Sequence, residues 1–230
     1  KKILENKYNN IIAIDRDVKS LEISKKFEKK YKNRFKFENI KFSEINRIKT
    51  NKNILKGIIF DLGYSTTQIK DPEKGLSFLS KGKLNMQMGL NEFSANEIVN
   101  DFDQSSLSKI FYSFGDEKKA NNIARKIINF RKSKNIETQD LVKIIDSVYK
   151  KKFKKIHNST KVFQALRIFV NKEISELIES LISSFKLLPK GGVIVVVSFH
   201  SIEDKIVKYF FHHYSQNKNS SRYLPEKERK

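Results

Sequence analysis

The sequence contains no cysteine and no tryptophan, has only three prolines, and is short of acid, with 26 Asp and Glu against 47 Lys and Arg. Without cysteine there is no disulfide, no thiolate metal site and no thiolate nucleophile, which fits a cytoplasmic protein. Long apolar runs are also missing. The longest, residues 192–198, falls far short of the ~20 residues that span a bilayer, so no membrane partner is expected. Lys1 leads straight into a lysine-rich segment with neither the apolar core nor the cleavage site of a secretory signal. Apart from His200, the histidines, His157, His212 and His213, do not fall at metal-ligand spacings with carboxylates, so no metal is expected.

What is present is basic charge and a usable core. A net charge of +21 points to a polyanionic partner, nucleic acid first. Only 8 of the 47 basic residues are arginine, so the charge is either selected for RNA or partly the product of a lysine-favouring codon bias. At 38% hydrophobic residues, wholesale disorder is excluded.

Residues 10–14 (NIIAI) read as a short buried strand ending at Asp15 and Asp17. Residues 18–30 carry Val18, Leu21, Ile23 and Phe27 among lysines, the pattern of an amphipathic helix. FKFENIKF (35–42) alternates as a second strand, residues 54–62 form a third ending at Asp61, and VIVVVS (193–198) a fourth. Strands separated by helices predict a parallel α/β sheet. The long interval between the third and fourth strands reads as helical. Ser94 to Glu97 forms a capping box, residues 105–114 form a helix stopped by Gly115, and further helices cover 118–132 and 138–152. Residues 160–188 are helical with a break near Asn171. This gives a sheet domain at 1–90 and 159–214, an inserted helical domain at 91–158, and a polar tail at 215–230.

Ligands of parallel α/β folds sit beyond the carboxyl ends of the strands. Asp15 is therefore either an acceptor for ribose hydroxyls or a solvated loop acid. Asp61, followed by Gly63 and Ser65, either faces a cofactor and substrate or caps the next loop. His200 follows the last strand and is read as orienting its turn rather than as a base. The run Lys150, Lys151, Lys152, Lys154 and Lys155, interrupted by Phe153, suits phosphate contacts, or else a solvated helix end.

Several long segments resemble one family in order. DLGYSTTQIKDPEKGLSFLSKGKLNMQMG is similar to a signature of the form DLG-V-S-S-x-Q, then G-x-S-F and D-M-R-M. HNSTKVFQALRIFVNKEISELIESL, KGGVIVVVSFHSIEDKIVKYFF and FGDEKKANNIARKII resemble three further blocks. The family is that of the RsmH (MraW) methyltransferases, and the resemblance covers most of the chain. It implies a class I, Rossmann-like methyltransferase sheet with an inserted helical domain. It also implies S-adenosyl-L-methionine as methyl donor and, as substrate, N4 of a cytidine in the P-site region of 16S rRNA in the small ribosomal subunit.

By motif, the resemblance puts Asp15 on the donor's ribose, Phe42 against its adenine, Asp61 near its methionine end, and Gln68 among the remaining donor contacts; Asp61 is also the leading candidate for the reaction centre, its donor-binding and proton-accepting roles being inseparable from sequence. The missing cysteine agrees: methylation at a pyrimidine C5 generally needs a thiolate to attack the ring, whereas an exocyclic amine does not. A DNA amino-methyltransferase is disfavoured because DLGYS lacks an acid-Pro-Pro-aromatic pattern. The family's glycine-rich first motif and its arginine- and serine-rich last block are absent from these residues, so the chain is expected to be a fragment, unstable and poorly active alone. Asn85, Gln87 and Gly89 stand where Asp, Arg and Asp are common, and Asn158 and Lys161 where Pro and Arg are. These departures leave a second reading, a ribosome-binding or assembly protein that keeps the fold without catalysis.

Overall fold

The computed structural model describes residues 2–51, 54–79, 82–149 and 157–215. The chain forms two compact units, residues 1–48 with 64–180, and residues 49–63 with 181–230.

In the first unit, a short helix α1 (Lys2–Glu5) precedes β1 (Ile11–Ile14), α2 (Ser20–Tyr31) and β2 (Phe35–Glu38). The strands pair in parallel, Ile11 opposite Phe35 and Ile14 opposite Glu38, with α2 as the crossover that parallel pairing requires. Phe27 of α2 packs on Phe35 with ring centroids 5.5 Å apart. The second strand is shorter than its alternation predicts: pairing stops at Glu38, and Phe42–Arg47 is a 3-10 helix. Local backbone chemistry overrides the pattern here. The Lys41 N–H donates to the Glu44 carboxylate (3.2 Å) and the Glu44 N–H to the Lys41 carbonyl (3.1 Å), which closes a helical turn instead of a ladder.

Beyond α3 (Thr66–Lys70), five helices follow: α4 (Ala95–Asp101), α5 (Gln104–Gly115), α6 (Ala120–Phe130), α7 (Thr138–Asp146) and α8 (Thr160–Val170). The capping box of α4 forms, with the Ser94 hydroxyl accepting from the Glu97 N–H (3.3 Å) and the Glu97 carboxylate from the Ser94 N–H (2.7 Å). Apolar residues at spacings of three and four, such as Leu107 and Phe111, Ile123 and Ile127, and Leu141 and Ile145, meet in one continuous core.

α5 stops at Gly115 as expected, and the left-handed conformation falls on the next residue, Asp116 (φ 49°). A Cβ on Gly115 would lie 2.5 Å from the Lys161 carbonyl oxygen, so the glycine is required for the close approach of α5 to α8. The long helical stretch does break where expected. α8 ends at Val170, Lys172 adopts φ 52°, and α9 (Glu173–Leu187) begins.

In the second unit, β3 (Gly57–Asp61) and β4 (Val193–Val197) pair in parallel, Gly57 opposite Val193 and Asp61 opposite Val197. The Leu62 N–H extends the ladder to the Val197 carbonyl (3.1 Å). Ile58, Phe60, Ile194 and Val196 share the more buried face, while Ile59, Val193, Val195 and Val197 stand on the exposed one. The last helix, α10 (Ser201–Ser215), brings Tyr214 to 4.3 Å from Phe185, ring to ring. Among the described residues, no helix is long and apolar enough to cross a membrane.

Candidate active site

Asp15 leaves β1 with its N–H still on the ladder, donating to the Glu38 carbonyl (3.3 Å). Its Oδ1 accepts from the Asp17 N–H and its Oδ2 from the Ser20 hydroxyl, both at 2.8 Å, which fixes the carboxylate at the start of α2. Each oxygen keeps lone-pair capacity, so the group can accept from two further hydroxyls without losing a protein contact.

Asp17 carries more of the local architecture than its place in the sequence suggests. It is 5% exposed. Its Oδ1 accepts from the Lys19 N–H (3.1 Å), and its Oδ2 from Gln68 Nε2 (2.7 Å) and Lys74 Nζ (2.9 Å). Burial pushes its pKa up, but the hydrogen bonds from Gln68 and Lys74 outweigh it and hold the carboxyl below the ordinary carboxylate value. The only signal in the sequence was a second acid at the strand end, because its side-chain partners, Gln68 and Lys74, lie more than fifty residues away.

Gln68 is joined to this network through Asp17 rather than Asp15. Its Oε1 also accepts from the Ser65 N–H (2.8 Å) while the Ser65 hydroxyl accepts from the Gln68 N–H (3.2 Å), capping α3. One amide N–H of Gln68 remains for a further acceptor. Phe42 opens the 3-10 helix after β2, and the next residue, Ser43, donates its N–H to the Glu176 carboxylate (3.2 Å).

The loop at 86–91 is held by a second network that sequence reasoning missed. Asn171, 1% exposed, uses the whole bonding capacity of its amide. Its Oδ1 accepts from the Met88 N–H and from Asn91 Nδ2 (both 3.0 Å), and its Nδ2 donates to the carbonyls of Met86 (2.8 Å) and Arg167 (2.9 Å). Arg16, between the two acids of the β1 end, donates to the carbonyls of Gly89 (2.7 Å), Leu90 (3.3 Å) and Asn171 (2.8 Å). The loop is folded tightly enough that Met86, Gly89 and Leu90 all have positive φ. A Cβ on Gly89 would come within 2.4 Å of the Arg16 carbonyl oxygen at φ 110°, so in this chain only glycine fits there.

In the second unit, Asp61 ends β3 with an exposed side chain. Gly63 (φ 86°) turns the chain against the Phe199 ring. After β4, His200 Nε2 lies 3.1 Å from Glu203 Oε1, and Glu203 Oε2 accepts from the Phe199 N–H (2.9 Å). His200 is thus tied through Glu203 to the β4–α10 turn. The basic run Lys150, Lys151, Lys152, Lys154 and Lys155 lies outside the described residues. Just before it, burial and the Glu117 carboxylate push the Tyr149 phenol far above its ordinary value, and Lys119 Nζ lies 4.2 Å from the Tyr149 ring centroid.

Parallel strand pairs among helices, with acids at the carboxyl ends of β1, β2 and β3, make a mixed α/β protein consistent with a methyltransferase fold. Residues 1–230 match the MraW methylase family, and the chain belongs to that family. Three relatives carry the name Ribosomal RNA small subunit methyltransferase H. The protein from Orientia tsutsugamushi (strain Ikeda) is 41% identical over 219 residues, covering 92% of this chain and 70% of its own length. That of Chelativorans sp. (strain BNC1) is 40% identical over 220 residues, covering 95% of this chain and 64% of its own. That of Rickettsia prowazekii (strain Madrid E) is 38% identical over 210 residues, covering 91% and 68%. The chain therefore spans about two thirds of the length of these relatives.

Proposed function

We propose that this chain is the greater part of an enzyme that methylates N4 of a cytidine in the P-site region of 16S rRNA, using S-adenosylmethionine. The observation that carries the reading is the family match over all 230 residues, joined to relatives named for the small-subunit ribosomal RNA. The fold would be a class I methyltransferase sheet, with residues 91–158 as an inserted helical domain that meets the ribosomal substrate. The net charge of +21 and the lysine run at 150–155 suit RNA phosphates. The protein would work in the cytoplasm.

The chemistry of the β1 end fits the donor. Asp15 offers free lone pairs for ribose hydroxyls, its orientation already set by Asp17 and Ser20. Phe42 would lie against adenine, and the spare N–H of Gln68 would complete the set. Bound S-adenosylmethionine supplies a methyl group already activated by its sulfonium. What remains for the protein is to hold the acceptor amine in line and receive its proton. Asp61, exposed at the carboxyl end of β3, is the group assigned to that work.

The test uses the product of the whole gene, S-adenosylmethionine and small subunits lacking the modification, with nucleosides read by mass spectrometry. N4-methylcytidine at a single 16S position is expected, abolished in Asp61→Ala. Tight subunit binding without methylation would move the assignment to a ribosome-binding protein.

A further inference from the structure

We infer that Tyr64 is the stacking face for the nucleobase that the enzyme modifies, backed by the Arg167 guanidinium; this rests on the RNA-methyltransferase reading above. Tyr64 lies three residues beyond Asp61, a distance of at most about 10 Å along an extended chain. The Arg167 guanidinium carbon sits 4.7 Å from the centroid of the Tyr64 ring. Arg167 is itself fixed. Its Nε and Nη2 each lie 2.9 Å from a separate oxygen of Glu173, and its side chain is only 11% exposed. A guanidinium bound at two points cannot rotate freely, so it presents a plane rather than a mobile charge.

The ring in front of that plane is not packed away. Tyr64 remains 40% exposed, although the same unit buries Phe111 and Phe163 almost completely. An aromatic ring with a cation over it and 40% of the residue still exposed suits an unpaired base, whose π-face stacks regardless of its identity.

The plainer alternative is that Tyr64 merely shields the Arg167–Glu173 pair. The two differ in what a substitution changes: shielding affects stability, whereas stacking affects RNA affinity. Steady-state transfer to unmodified small subunits by the whole-gene product should show Tyr64→Val raising KM for the subunit roughly 10-fold, within the span of one lost stacking contact. The Kd for S-adenosylmethionine should stay unchanged, and Tyr64→Phe, which keeps the ring, should restore KM. An unchanged KM in Tyr64→Val overturns the proposal, as does an equal loss of donor affinity.

A second probe does not need turnover. The 230 residues contain no tryptophan, so Tyr64→Trp, read against the parent protein, reports from this position. A short single-stranded RNA should quench its emission; binding without quenching overturns the proposal. If the parent protein transfers no methyl group at all, the methyltransferase reading fails, and the quenching result alone decides whether Tyr64 stacks on RNA.

Discussion

Helices α4 to α8 and the β3–β4 pair are both rich in apolar residues, and they bury them very differently. Ile98, Val99, Leu107, Phe111, Ile123, Ile127, Leu141 and Ile145 are all at 0% exposure, whereas Ile59, Val193, Val195 and Val197 range from 44% to 58%. A helix satisfies its backbone internally and needs only one apolar stripe, so five short amphipathic helices can close on one another. A strand such as VIVVV has two apolar faces and its backbone bonds lie with a neighbour, so one flanking layer leaves half of it open. Burial here follows geometry rather than composition.

The largest expected effect tests the closed side of this contrast. Phe111→Ala removes a completely buried ring from the helical core and should cost about 3–5 kcal/mol in urea denaturation. A loss below ~1 kcal/mol would mean that the core is far looser than its burial indicates.

Next comes the ionic joint of the first unit. Lys74→Met leaves the buried Asp17 carboxylate without its cation and should cost about 3 kcal/mol at pH 7. Because the folded-state pKa of Asp17 is depressed, its contribution is complete above the ordinary carboxylate value. It is lost as pH falls through the lower folded value. The difference in melting temperature between the wild-type protein and Asp17→Asn should therefore be widest at neutral pH and shrink in acid; a constant difference would remove Asp17 from the linkage. Asn171→Ala belongs to the same scale, about 2 kcal/mol, since it strands the Met88 N–H and the Met86 carbonyl in a buried loop. Thermal unfolding of that variant measures it.

These residues also mark what a sequence discloses. The four strands, the Ser94 cap and the break at Asn171 were legible because each is written within a few neighbouring residues as alternation, a hydroxyl three places before an acid, or the end of an apolar stripe. Phe42 was misread as strand because its alternation looked sound, while the Lys41–Glu44 exchange that bends the chain involves only backbone and one carboxylate. Gly115 was legible as the end of α5 but not as a point of close approach, because the Lys161 carbonyl it meets is 46 positions away. The site follows the same rule. Asp15 announced itself at a strand end, but the tie of Asp17 to Gln68 and Lys74, and that of Arg16 to Gly89 and Asn171, exist only once distant segments meet. Helix caps are the local extreme, and Ser94→Ala should cost about 1 kcal/mol, against a few tenths for Ser94→Gly, in urea denaturation.

The smallest expected effect tests the open side. Val195 sits in the middle of β4, where intuition from VIVVV alone would place it in a core, yet it is 45% exposed. Threonine keeps the β-branch and nearly the same volume, so Val195→Thr retains strand propensity and changes only the cost of desolvating a hydroxyl. On an open face that hydroxyl stays in water, and the change in stability of this chain should lie within about 0.5 kcal/mol. On a covered face it would be buried without a partner and cost about 1–3 kcal/mol. Urea denaturation of the two proteins side by side separates these outcomes. A loss in the upper range would mean that the face bearing Val193, Val195 and Val197 is packed in solution, and the contrast between the helical core and the strand pair would fall with it.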